Sequence, residues 1–184
     1  MTLSLLNKKF TSTQFHHMAK YGILHPKQRL ELLKGYIIEM TPINSEHASI
    51  VDILSELLIA ALSGKAITRI QNPIQLDDYN APEPDIAVAR LQKDRYRHAH
   101  PTAKDIWLVI EVADSSLEKD RQVKTELYAA AGIAEYWIVS IPDQHIECYD
   151  QIVDGEYKRR LEVKKGASAQ SMLLDLSLAV DELF

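Results

Sequence analysis

Residues 106–112 read Ile-Trp-Leu-Val-Ile-Glu-Val, an apolar run broken once, at Glu111. The run has strand length, and apolar residues at both odd and even positions require both faces to be covered. A sheet covered on both faces needs helices or a further layer on each side. Residues 44–47, Asn-Ser-Glu-His, supply caps for one helix, whose apolar stripe is Ala48, Val51, Ile53, Leu54, Leu57, Leu58 and Ala61. Residues 115–118, Ser-Ser-Leu-Glu, fit a capping box that opens a second helix, which ends at Gly132. Strand patterns lie at 30–40 (two strands meeting at Lys34-Gly35), 66–71, near Ile74, at 85–90 and at 135–141. A hairpin is expected from 146–149 to 157–163, and short helices at 13–19 and 178–184. The expected architecture is one α/β domain over residues 1–184 with a mixed central sheet, residues 1–28 being a helical N-terminal extension.

Composition narrows the chemistry. At 184 residues with 46% hydrophobic and 26% charged positions, the chain can bury its own core without staples. The one cysteine, Cys148, excludes an internal disulfide framework and a cysteine zinc site, and its strand pattern reads as a small apolar filler. A net charge of −5 excludes a chain that is basic all over, though not a local phosphate-binding face. No run reaches membrane-spanning length and no signal-peptide pattern opens the chain, so a soluble cytoplasmic protein is expected. There is no phosphate-binding glycine loop, GxSxG elbow or HExxH pair, and His98 and His100 alternate without further nearby ligands.

Two carboxylates stand out. An unpaired Glu111 inside the most apolar strand would cost several kcal/mol (roughly 3–5), so it needs a cation, a metal or a hydrogen-bond network. Asp85 opens another strand pattern directly after Pro84. If the two strands are neighbours, the carboxylates can converge on a hard cation such as Mg²⁺. The alternative is a buried pair between Glu111 and a lysine or arginine, with Asp85 capping a turn. Asp120 and Lys124 share a helical face. They are either a surface pair or a means of bringing the Lys124 ammonium to the carboxylates, where it could stabilise phosphate charge. Residues 90–104 carry Arg90, Lys93, Arg95, Arg97 and Lys104 with Tyr96 among them. The functional reading of this segment is phosphate-backbone contact, with Arg95 and Arg97 as substrate-binding residues, and the alternative is a solvated loop.

The joint pattern of Pro84-Asp85, Glu111-Val112, Asp120-x₃-Lys124-x₃-Tyr128 and residues 131–139 resembles the Uma-type family of endonucleases, abundant in cyanobacteria and long catalogued as a domain of unknown function. Residues 29–40 and Glu46-His47 also match, so the resemblance runs over about 29–184. It implies the restriction-endonuclease-like fold of the PD-(D/E)XK superfamily, a mixed central β-sheet flanked by α-helices. It implies further a Mg²⁺- or Mn²⁺-dependent endonuclease acting on phosphodiester bonds of DNA. Asp85 and Glu111 would hold the metal, the Val112 carbonyl would be a further ligand, and Glu31 and Glu46 are candidates for an additional acidic group, the alternative being a hairpin ion pair for Glu31 and a helix N-terminal charge for Glu46. The superfamily lysine position holds Ala113 here, and Lys124 takes its place beside Asp85 and Glu111 in the catalytic set. A homodimer is expected by analogy with restriction-type nucleases. The competing reading is a catalytically inactive nucleic-acid- or protein-binding module that keeps the fold.

Overall fold

The computed structural model describes residues 8–25 and 27–184. Six strands form the central sheet: β3 (Ala66–Ile70), β4 (Ile86–Arg90), β5 (Ile106–Ala113), β6 (Glu135–Ser140), β7 (His145–Val153) and β8 (Glu156–Lys164). They lie in sequence order across the sheet. All neighbours pair antiparallel except β5 and β6, which are parallel because the chain crosses over between them through a helical segment. The sheet is therefore mixed, as expected.

β5 is covered on both faces. Leu108, Ile110 and Val112 pack toward helix α2 (Ser45–Ala61), and Val109 and Ala113 pack on the opposite side with Tyr128, Ile133 and Tyr136. Alternation along the strand places Glu111 on the side of Val109 and Ala113. A register shift makes Val88 face Leu108 while Ala89 faces Ile106, so Trp107 is the extra residue of a bulge. The Asn44 side chain caps α2 by accepting from the His47 N–H at 2.8 Å. The helix buries Ile50, Val51, Leu54 and Leu58, while Ala61 at its end is exposed.

A separate hairpin, β1 (Leu30–Leu33) with β2 (Tyr36–Glu39), turns through Lys34 and Gly35 at φ +52° and +82°. A Cβ at Gly35 would meet Lys9 Cβ at 2.7 Å, so this turn needs glycine for room as well as for its backbone. The Leu32–Ala81 bridge ties the hairpin to the body, where Phe15 of helix α1 (Ser12–Lys20) packs with Leu32 and Ala81.

Three local expectations fail. The Ser115–Glu118 capping box does not form: the helix begins at Leu117, so the cap position falls on Ser116, which is already helical at φ −84°, ψ −5° and whose hydroxyl donates to Asp120 Oδ2 at 2.7 Å. The crossover is a short α3 (Leu117–Lys119), a wide turn (Asp120–Lys124) in which the Thr125 N–H donates to the Asp120 carbonyl, and α4 (Thr125–Ala130). The expected end at Gly132 holds, with φ +80° and the Ile133 N–H donating back to the Tyr128 carbonyl at 3.0 Å. Residues 178–184 are not one helix: β10 (Ser177–Ala179) pairs with β9 (Ser168–Gln170), and one tight turn, Val180–Glu182, follows. Near Ile74 there is only an isolated bridge, between Gln75 and Thr102. Among the described residues, no helix is long and apolar enough to cross a membrane.

Candidate active site

Asp85 precedes β4, Glu111 lies near the end of β5, and these strands are hydrogen-bonded neighbours. The turn into β4 and the end of β5 open into a cleft of about 260 Å³. The start of α2, the β1 strand and the crossover complete its walls.

Asp85 is held from three directions. Gln71 Nε2 donates to its Oδ1 at 3.1 Å, the Val112 N–H donates to Oδ2 at 2.9 Å, and His47 Nε2 stands 3.1 Å from Oδ2. Burial alone would push this carboxyl up. The His47, Val112 and Gln71 contacts outweigh burial and hold it below the ordinary aspartate value.

Glu111 accepts on one oxygen only. Lys124 Nζ at 2.7 Å and the Tyr128 hydroxyl at 2.8 Å both donate to Oε1, and Oε2 accepts no hydrogen bond among the described residues. Burial pushes the Glu111 carboxyl up to about 8; Lys124 opposes that rise, and Asp120 and Asp85 reinforce it. Burial works against the Lys124 charge, but Glu111, Glu31 and Asp120 outweigh it and keep the ammonium above its usual range. Lys124 is therefore held in its protonated form within this cluster.

Glu31 reaches the same cluster from β1. It is fully buried, accepts from Lys119 Nζ at 2.6 Å on Oε1, and places Oε2 3.8 Å from Lys124 Nζ. That oxygen is buried without a hydrogen-bond partner. The wide turn of the crossover sets this geometry: Lys119 and Asp120 approach from one side of it, Lys124 and Tyr128 from the other.

Asp85, Glu111, Val112, Lys124 and Glu31 thus meet at one cleft. Glu46 does not join them. It is exposed in the first turn of α2, where its charge suits the helix N-terminus. Arg95 and Arg97 lie on the exposed loop beyond the far end of β4 and border a separate surface recess. Sequence reasoning missed four contributors: His47, Gln71, Lys119 and Tyr128. The i,i+4 spacing of Tyr128 from Lys124 was a usable signal. Gln71 had none, since its φ of +48° swings the chain out of the strand.

Four carboxyl groups (Asp85, Glu111, Asp120 and Glu31) face two lysines here, so negative charge is in excess when all four are ionised, while burial pushes Glu111 and Asp120 toward their neutral forms. Among the described residues, no three His, Cys, Asp or Glu side chains form a ready-made cation cage. Mg²⁺ needs none, because it binds through one or two carboxylates and keeps several waters. A carboxylate just before β4, another near the end of the adjacent β5 and a Glu111 oxygen that accepts no hydrogen bond among the described residues fit such an ion.

Residues 12–181 match the model of the family described as Uma2, putative restriction endonuclease, a span that includes α1. The crystal structure of a putative nuclease belonging to DUF820 from Anabaena variabilis ATCC 29413 is similar in fold, with a TM-score of 0.72 at 15% identity. The superposition covers 95% of this chain and 97% of that one. The restriction-endonuclease-like architecture expected above agrees with this likeness. Among curated proteins, none matches this sequence.

Proposed function

Since this chain belongs to the Uma2 family of putative restriction endonucleases, we propose that it is a Mg²⁺- or Mn²⁺-dependent endonuclease hydrolysing phosphodiester bonds of DNA. The observation that carries the reading is the approach of Asp85, just before β4, and Glu111, near the end of the adjacent β5, to one cleft. Asp85 and Glu111 would hold the metal, with the Val112 carbonyl as a further oxygen ligand. When bound, such an ion activates water and offsets charge developing on the phosphate. Asp85 is kept ionised and oriented by Val112 N–H, Gln71 and His47. Lys124 and Tyr128 fix the rotamer of Glu111 through Oε1, so that Oε2 is the atom left for a ligand. Lys124 is on this view a positioning residue, and Glu31 with Lys119 holds it in place.

Arg95 and Arg97 are assigned to backbone phosphates outside the cleft. Action in the cytoplasm as a homodimer, one cleft per DNA strand, completes the proposal. Sedimentation at working concentration tests the dimer.

One observation favours the competing reading of an inactive binding module: the Lys124–Glu111 pair is almost fully buried and could serve stability alone. Incubating supercoiled plasmid with the purified chain and Mg²⁺ or Mn²⁺ separates the two. Nicking that disappears in Asp85→Asn and Glu111→Gln supports the nuclease. DNA binding without nicking at any metal concentration supports the module.

A further inference from the structure

Away from the carboxylate cleft, three cation-forming side chains meet with no carboxylate paired to them among the described residues. Arg69 stands on β3 opposite Ala87 of β4. Its Nη2 lies 3.5 Å from His100 Nδ1, and its guanidinium carbon is 5.9 Å from the centre of the Tyr96 ring. The His100 ring is in turn 5.6 Å from that of His16 on α1. Arg69 Nε is buried without a hydrogen-bond partner. Arg29, Arg121, Arg159 and Arg160, by contrast, each hold a carboxylate.

A guanidinium with a buried unpaired N–H and no counter-charge is unfavourable in isolation. The residue's planar fork matches phosphate oxygens, and an aromatic ring beside it is a common support. Burial, His16 and Arg69 together hold His100 below its ordinary value, so an anion placed among the three would relieve their mutual repulsion. The position also has meaning. Two residues after Arg69, just past the end of β3, Gln71 donates to Asp85. On the other side, Tyr96 and His100 belong to the loop that carries Lys93, Arg95 and Arg97, which extends the positive surface. Several basic side chains on one loop beside the three suit a polyanion better than a single free phosphate.

We infer that Arg69, His100 and His16 form a phosphate-binding subsite that grips the sugar–phosphate backbone of DNA beside the cleavage cleft. This rests on the nuclease reading above and assigns a binding role to residues outside its metal site.

The test is binding of a short fluorescent DNA duplex to the full chain in EDTA, followed by anisotropy over a range of salt concentrations. Arg69→Gln should weaken affinity about tenfold and flatten the slope of log affinity against log salt by about one. The double variant His16→Asn/His100→Asn should lose affinity in the same direction. Mn²⁺ affinity of all variants, read by calorimetry, should match wild type, which separates a lost phosphate contact from general damage. Wild-type affinity and slope in Arg69→Gln overturn the subsite while leaving the nuclease reading intact. If Arg69→Gln does not fold, unchanged binding by the double variant overturns it equally. Absence of DNA binding by the wild-type chain overturns the subsite together with the DNA substrate, whereas failure of Mn²⁺ to bind wild type strikes only the metal site.

Discussion

Lys124 Nζ stands 2.7 Å from Glu111 Oε1, and each side chain is only 4% exposed. Both are almost fully buried, so removing one leaves the other largely without a counter-charge. We predict that Lys124→Ala destabilises the fold by about 3–5 kcal/mol, measured by urea unfolding. Where the variant is still folded, cleavage should fall about 100-fold or more. Lys124→Arg should restore little, because the guanidinium is bulkier and shaped differently. A structural role alone would not move the pH profile of metal binding, and this profile should move. Metal needs ionised Glu111, whose carboxyl sits at about 8 with the ammonium present, so Mn²⁺ affinity in wild type should rise with pH through about 8. Without the ammonium that rise should shift to higher pH.

Asp85 is the opposite case, a carboxylate held below its ordinary value by three donors. Asp85→Asn keeps the shape but removes the charge. Calorimetric titration should show Mn²⁺ affinity reduced at least tenfold, roughly 1.4 kcal/mol or more, with plasmid nicking abolished. Wild-type metal affinity in this variant would remove Asp85 from the site.

Arg95 and Arg97 border an exposed recess away from the carboxylates. If they contact phosphates, Arg95→Ala/Arg97→Ala should weaken DNA binding similarly for unrelated sequences and flatten its salt dependence. The measurement is anisotropy with two duplexes of different sequence. An unchanged salt slope returns this segment to a solvated loop.

On β7, Glu147 is fully buried and accepts from Arg121 Nε at 2.8 Å, Arg160 Nε at 3.2 Å and the Tyr149 hydroxyl at 2.5 Å. Burial would raise its carboxyl, but these donors outweigh burial and bring it to about 2. A carboxyl lowered on folding stabilises the protein fully above its unfolded value, and that contribution is lost as pH falls through the folded one. Glu147→Gln should therefore be less stable than wild type at neutral pH, with the gap closing as the pH is lowered toward about 2. Urea unfolding across that range is the check. A gap independent of pH would mean that the variant loses packing rather than charge.

Much of the fold was legible because it rests on short-range regularities. The two-sided apolar run of β5 and the helical stripe of α2 each report burial through their own period. Glu111 was conspicuous because it broke the first of these. Lys124 and Asp120 were visible as a spaced pair, and the structure sets both beside Glu111. The misses have a common physical origin. Glu46 and His47 are adjacent on α2 and so point about 100° apart, and only the docking of the helix decides which faces the cleft. It is His47. The Ser-x-x-Glu pattern at 115–118 has the composition of a capping box, but the helix begins at Leu117, one residue too late for Ser115 to cap it, and the cap position falls on Ser116, whose backbone is already helical. Glu31 could be read as an ordinary hairpin charge because nothing local announces that β1 closes over the crossover.

The wide turn at Asp120–Lys124 holds one more residue per bond than an ordinary helix does. It thereby sets the phase between two groups of side chains. Wound as a regular α-helix, with about 100° per residue, the same stretch would change the phase between Lys119 and Tyr128, so that Lys119 would turn away from Glu31 while Tyr128 stayed on Glu111. Length is therefore part of the chemistry here. Deletion of Gln122 or Val123 would leave every ionisable group in the chain, yet would dismantle their arrangement as surely as replacing a carboxylate.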